Sequence, residues 1–132
     1  MFLEKTVFYY GFEQAELYEL TALQRAEYFE CIARLLAESE QNTTEAGKGA
    51  ALVRLNTESN AWLVSRARWN GNREADVEEI YHQILSDWPE KALSQAAEKV
   101  MMLSGLDVDV KAEEQREYEA AEGPEVKQSA GS

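Results

Sequence analysis

Apolar positions in this chain form four stretches at helical spacing behind a short aromatic and β-branched opening. Residues 2–20 carry Phe2, Val7, Phe8, Tyr9, Tyr10, Phe12, Leu17, Tyr18 and Leu20, with Gly11 as a turn point between two runs. These residue types suit a pleated, half-buried surface, and the pattern predicts a β-hairpin. Alternation through Phe12-Glu13-Gln14-Ala15-Glu16-Leu17 is only approximate. An isolated hairpin is marginal in water, so this one is expected to lean on the helices that follow.

Thr21 is a good helix N-cap, and Gln24 three residues later completes a capping box. From there Leu23, Ala26, Phe29, Ala33 and Leu36 recur at three- and four-residue steps, with Tyr28, Ile32 and Leu35 widening the apolar face. A helix over 22–39 follows, ending in the polar run Ser39-Glu40-Gln41-Asn42-Thr43-Thr44. Leu52, Leu55, Ser59, Trp62 and Leu63 then predict helix over 45–69, in one piece or broken at Asn56-Thr57. Trp62 and Trp69 fall on one face, and Asn70-Gly71-Asn72 stops the segment. Val77, Ile80, Tyr81, Ile84, Leu85 and Trp88 define a helix over 74–88. Pro89 opens the last helix, 89–104, whose stripe is Leu93, Ala96, Val100 and Leu103 and whose C′ residue is Gly105. If Trp88 is fully buried, truncating it to Ala should cost about 3–5 kcal/mol.

After Leu106 the pattern stops. Residues 107–132 hold eight acids and three bases, and only Val108, Val110, Tyr118 and Val126 are larger apolar side chains. Such a segment cannot bury enough surface to offset its ordering entropy, and it is expected to be disordered. The fold class is therefore mainly α with a small N-terminal β-hairpin (α+β). One compact domain of about four helices spans residues 1–106, followed by an acidic tail.

Charge narrows the function classes. The 132 residues carry 25 acids against 13 bases, a net charge of −12. Binding nucleic acid needs clustered Lys and Arg to neutralise phosphates, and docking on anionic membrane needs the same, so neither partner is expected. Met1-Phe2-Leu3 gives way at once to Glu4 and Lys5, so no secretory leader develops, and no apolar run approaches a membrane span. A soluble cytosolic protein is expected.

Candidate chemistry is thin. Glu79 and His82 make one Glu-x-x-His at helical spacing, but a di-iron bundle needs two, and His82 is the only histidine. One histidine and one cysteine cannot build a structural zinc site. Cys31 sits beside Ile32 in the apolar part of the first helix, where a cysteine is an inert core residue. Gly47-Lys48-Gly49 lacks the flanking residues of a phosphate loop, and Glu78-Glu79 and Glu113-Glu114 read as solvated acids. No catalytic residue, cofactor or metal is assigned, and the chain does not read as an enzyme.

One cluster departs from the acidic background. Arg66, Arg68 and Arg73 surround Trp69, with Trp62 one or two turns earlier. Arginine and tryptophan are enriched at binding hot spots, so Trp62, Arg66, Arg68, Trp69 and Arg73 form a candidate partner surface. The plainer alternative places the tryptophans in the core and pairs the arginines with neighbouring glutamates.

Four blocks carry a resemblance. Met1-Phe2-Leu3 with Lys5-Thr6 opens the chain, and Glu19-Leu20-Thr21-Ala22-Leu23-Gln24-Arg25-Ala26-Glu27 begins the first helix. Leu63-Val64 with Trp69-Asn70 marks the second, and Trp88-Pro89-Glu90-Lys91-Ala92-Leu93-Ser94 with Leu103-Ser104-Gly105 marks the last. Together with Gly123-Pro124 and Ser129-Ala130-Gly131 in an acidic tail, this order resembles the lambda-type phage minor tail protein G family. The resemblance implies a chaperone of long-tail assembly in the cytoplasm of the bacterial host, absent from the mature virion. It implies a tape measure protein as partner, coated by multiple copies, and a frameshift-extended form whose extra domain recruits the tail tube protein. An acidic regulatory module that sequesters a basic partner or mimics DNA is the competing reading. Acids arrayed on one folded face would favour it.

Overall fold

The computed structural model describes residues 1–106; the expected acidic tail, 107–132, lies outside the described residues. Two strands, β1 (Lys5–Tyr10) and β2 (Glu13–Tyr18), precede four helices: α1 (Ala22–Ser39), α2 (Glu45–Trp69), α3 (Val77–Asp87) and α4 (Glu90–Leu103). The fold is thus mainly helical with an N-terminal hairpin, as the residue pattern predicts.

The strands pair antiparallel through a tight turn at Gly11-Phe12, with Thr6 opposite Leu17, Phe8 opposite Ala15 and Tyr10 opposite Glu13. That register puts Phe8 and Leu17 on one face, where both are buried, and leaves Tyr9 on the other, exposed. The strands are shorter than the apolar run suggests: Phe2 lies before β1 and is fully exposed, and Phe12 is exposed at the turn. The hairpin leans on α2 and α4, which meets the need of a two-stranded sheet for outside support.

The capping box at the start of α1 forms as expected. Gln24 N donates to Thr21 Oγ1 at 3.1 Å, and Thr21 N donates to Gln24 Oε1 at 3.0 Å. The buried seam of α1, however, is Gln24, Tyr28, Cys31 and Leu35. Leu23, Ala26, Phe29, Ala33 and Leu36, expected at the centre of the core stripe, all face outward. Both seams have three- and four-residue steps and lie on opposite sides of the helix, so periodicity alone leaves the choice open. The tether of Gln24 to α2 decides it.

α2 runs unbroken through Asn56-Thr57 and packs against α1, α3, α4 and β2. All its buried residues lie between Ser59 and Ala67; the first half, with Leu52 and Val53, is largely exposed. Leu52 is thus a surface residue and not a core one. A Cβ on Gly71 just beyond α2 would collide with the Tyr18 ring, so the chain turns under β2 only because the side chain is missing.

α3 is shorter at its start than predicted, because Asp76 caps it by accepting from Glu78 N at 2.9 Å. Pro89 is the N-cap of α4 with extended backbone, one position earlier than the first helical turn expected of it. Gly105 follows the C-cap Ser104 with φ +74°, the left-handed conformation expected there. The core joins Leu63, Val64 and Ala67 of α2 to Ile84 of α3 and to Leu93, Ala96, Ala97 and Val100 of α4. Phe8, Leu17 and Leu20 close it from the hairpin side. Trp88 is only partly buried, stacked on Phe8 with ring centroids 6.2 Å apart. Among the described residues no helix is long and apolar enough to cross a membrane.

Candidate functional site

The last two turns of α2 and the loop after it carry the Arg/Trp cluster, and the backbone sorts its five residues into two places. Trp62, Arg66, Trp69 and Arg73 line one groove of about 610 Å³, whose opposite lip is α1 with Leu23, Glu27, Glu30 and Arg34. Residues 62, 66 and 69 share a face of α2 because they stand four and three apart. Arg68 points elsewhere. It lines a separate groove of about 410 Å³ with Phe8, Tyr10, Trp88 and Pro89.

Within the first groove Arg66 and Arg73 each lie on a tryptophan. The Arg66 guanidinium sits 4.4 Å from the Trp62 ring centroid and that of Arg73 4.2 Å from Trp69. Arg66 also donates to Glu78 Oε1 at 3.1 Å and to Ser65 Oγ at 3.0 Å, and its side chain is only 14% exposed. It therefore ties α2 to α3, as the plainer alternative required. Arg73 forms no ion pair among the described residues. Both tryptophans are half-buried, and Trp69 Nε1 donates to Ala75 O at 2.9 Å, so its indole edge is satisfied and its face remains for contact.

Arg68 stands 5.9 Å from the Trp88 ring centroid, also without an ion pair among the described residues. Burial lowers its pKa from the ordinary value by stripping water from the guanidinium.

Cys31 forms part of the groove wall and is buried. Burial pushes its thiol up, against the opposing influence of Arg34, whose Nη2 donates to Sγ at 3.7 Å. A thiol held protonated is a poor nucleophile. His82 is exposed beside the Tyr81 ring, and among the described residues no three His, Cys, Asp or Glu side chains gather as a metal site. The arrangement is suited to gripping apolar and aromatic surface, with arginine edges available for hydrogen bonds.

Sequence reasoning missed the outer surface of α1. Leu23, Phe29 and Leu36 are 69%, 42% and 44% exposed, and Ala22, Ala26, Ala33 and Ala37 share that side of the helix. Leu23 is also on the groove lip, so the apolar face and the groove are continuous. Two apolar seams on one helix were visible in the residue spacing; only the assumption that apolar means buried hid the second.

Comparison with known proteins bears on all of this. Residues 1–123 match the family model described as bacteriophage lambda tail assembly chaperone, TAC, protein G. Tail assembly protein G of Escherichia phage N15 is 30% identical over 115 residues, covering 80% of this chain and 78% of that protein. Tail assembly protein G of Escherichia phage lambda is 28% identical over 114 residues, covering 80% and 79%. Tail assembly protein GT of phage N15 is 30% identical over 115 residues, which make up only 44% of that longer protein. No solved structure matches. A family match over most of the length, in the order of the blocks that build the hairpin, the capping box and the last helix, places this chain in the lambda tail assembly chaperone family of protein G.

Proposed function

We propose that this chain binds and solubilises the tape measure protein during long-tail morphogenesis, in several copies, in the cytoplasm of the infected host, and is absent from the mature virion. The observation that carries this reading is the outer face of α1, where Leu23, Phe29 and Leu36 stand exposed beside the Trp62–Arg73 groove on a chain of net charge −12. Apolar patches of this kind mark interaction surfaces, since burying them in the chain's own core is the usual alternative. The surrounding negative charge keeps a complex with an aggregation-prone partner dispersed. Trp62, Arg66, Trp69 and Arg73 are the proposed partner contacts on the groove side, and Arg68 contributes from its own groove. In the same reading a frameshift-extended form recruits the tail tube protein, an idea supported by a GT relative that matches this chain over part of its length.

Co-expression with a tape measure protein tests the proposal. The expected result is that the partner, insoluble alone, remains in the supernatant and co-purifies. Two proteins that neither co-purify nor alter each other's solubility would overturn it.

A further inference from the structure

The Trp62–Arg73 groove is reachable by a segment of the same chain. α4 ends at Leu103, and Ser104 Oγ accepts a hydrogen bond from Leu20 N at 3.0 Å. Leu106, fully buried, anchors the chain just after that contact. Leu20 directly precedes Thr21, which lines the groove with Leu23 and Gln24. The described part of the chain therefore ends two residues after a contact with Leu20, next to the first residue of the groove wall. The 26 residues from 107 to 132 reach at most about 85 Å when extended, whereas α2, with 25 residues, is about 37 Å long. Reach is not limiting.

Charge selects the occupant. Residues 107–132 carry eight acids and three bases. The groove wall carries Arg34, Arg66 and Arg73 against Glu27 and Glu30. Arg34 and Arg66 already hold Glu38 and Glu78. Arg73, flat on Trp69, leaves its N–H edge without a carboxylate among the described residues. In a chain with nearly twice as many acids as bases, an arginine in that state is an opening for an incoming carboxylate. Tethering raises the local concentration of the segment to the millimolar range, so several pairs that together reach a dissociation constant of about 0.1 mM fill the groove about nine-tenths of the time.

We infer that the acidic segment 107–132 occupies the Trp62–Arg73 groove of its own chain when no partner is bound, and is displaced by the partner. The inference rests on the proposed role of that groove. Occupancy of about nine-tenths would weaken partner affinity about tenfold, because only the open fraction can bind.

The test uses the full chain labelled with 15N, beside a variant carrying Glu113→Gln, Glu114→Gln, Glu117→Gln and Glu119→Gln. The indole signals of Trp62 and Trp69 and the Nε signal of Arg73 are expected to shift between the two proteins. The indole of Trp88, in the other groove, is expected to stay fixed. About 0.5 M salt, where charges are screened beyond roughly 5 Å, should move the unaltered chain toward the variant. Superimposable groove signals in the two proteins would overturn the inference, as would shifts that vanish on dilution, since those report contact between copies. Partner binding is then measured on both proteins. Groove shifts without any partner binding would remove the functional reading while leaving the tail contact standing, and unequal affinities without groove shifts would do the reverse.

Discussion

Gln24 and Asn70 exchange two hydrogen bonds between their side-chain amides: Gln24 Nε2 donates to Asn70 Oδ1 at 2.9 Å, and Asn70 Nδ2 donates to Gln24 Oε1 at 2.7 Å. Both residues are buried. Asn70 Nδ2 also donates to Glu19 O at 3.1 Å, and Gln24 closes the capping box with Thr21. One polar pair therefore fixes the end of β2, the start of α1 and the end of α2. Two of the blocks that carried the family resemblance, Glu19–Glu27 and Trp69-Asn70, meet at this point.

Removing either amide leaves a buried polar partner unsatisfied. Gln24→Ala and Asn70→Ala are each expected to destabilise the fold by about 1–3 kcal/mol in urea denaturation. The double variant should cost less than the sum of the two by at least about 0.5 kcal/mol, because the second change removes a group already stranded by the first. Strictly additive losses would show that the two side chains do not act as a pair.

Trp88 tests how far burial sets the cost of truncation. A fully buried tryptophan would cost about 3–5 kcal/mol as alanine, but this one is only partly buried and is stacked on Phe8. Trp88→Ala is expected to cost about 2 kcal/mol, and Trp88→Phe, which keeps a ring against Phe8, under about 1 kcal/mol. Denaturant midpoints decide between the two scales.

Three ionisable groups along α1 and α3 make the fold sensitive to alkali. Burial is the largest cause raising Tyr28, Cys31 and Tyr81, the last to about 12 from an ordinary 10.0. A group whose folded pKa lies above its unfolded one favours the fold below the unfolded value and loses that contribution as pH rises. Stability should therefore hold up to about pH 9 and fall progressively toward pH 12. Tyr81→Phe should flatten the upper part of that decline in urea midpoints measured across the range. A profile as steep in the variant as in the parent would take Tyr81 out of the account.

How much of this was readable in advance depended on whether a local rule decided the question. Thr21 with Gln24, the stop at Asn70 and Gly105 act through the nearest few residues, and the start of α1 and the ends of α2 and α4 follow from them. The phase of α1 could not follow. With apolar residues on both sides, the helix face is chosen by the Gln24–Asn70 contact, across 46 positions of sequence. Proximity in the chain groups Arg68 with Arg66, yet two positions on a helix are about 200° apart, and the pair opens onto different grooves.

The outer seam of α1 offers a separation of folding from function. Phe29 and Leu36 are 42% and 44% exposed. Phe29→Ser and Leu36→Ser should each change stability by no more than about 0.5 kcal/mol, as surface substitutions do. Together they should return the tape measure partner to the insoluble fraction on co-expression. If the double variant keeps the partner soluble, the seam is not where the partner lies.

Arg66 and Arg73 look equivalent in the sequence and are not equivalent in the fold. Each lies on a tryptophan, but Arg66 is mostly covered and holds Glu78 from α3, while Arg73 holds no acid among the described residues. Arg66→Glu would set two carboxylates face to face between α2 and α3, one of them on a mostly covered side chain. It is expected to lower stability by about 1–3 kcal/mol as well as to weaken binding. Arg73→Glu exchanges charge on an exposed loop and should leave the thermal midpoint and the helical signal unchanged while weakening the partner. Circular dichroism melts alongside co-purification separate the two outcomes. Equal loss of folding in both variants would mean that Arg73, too, serves the fold, and the groove would lose its one arginine with nothing structural to do.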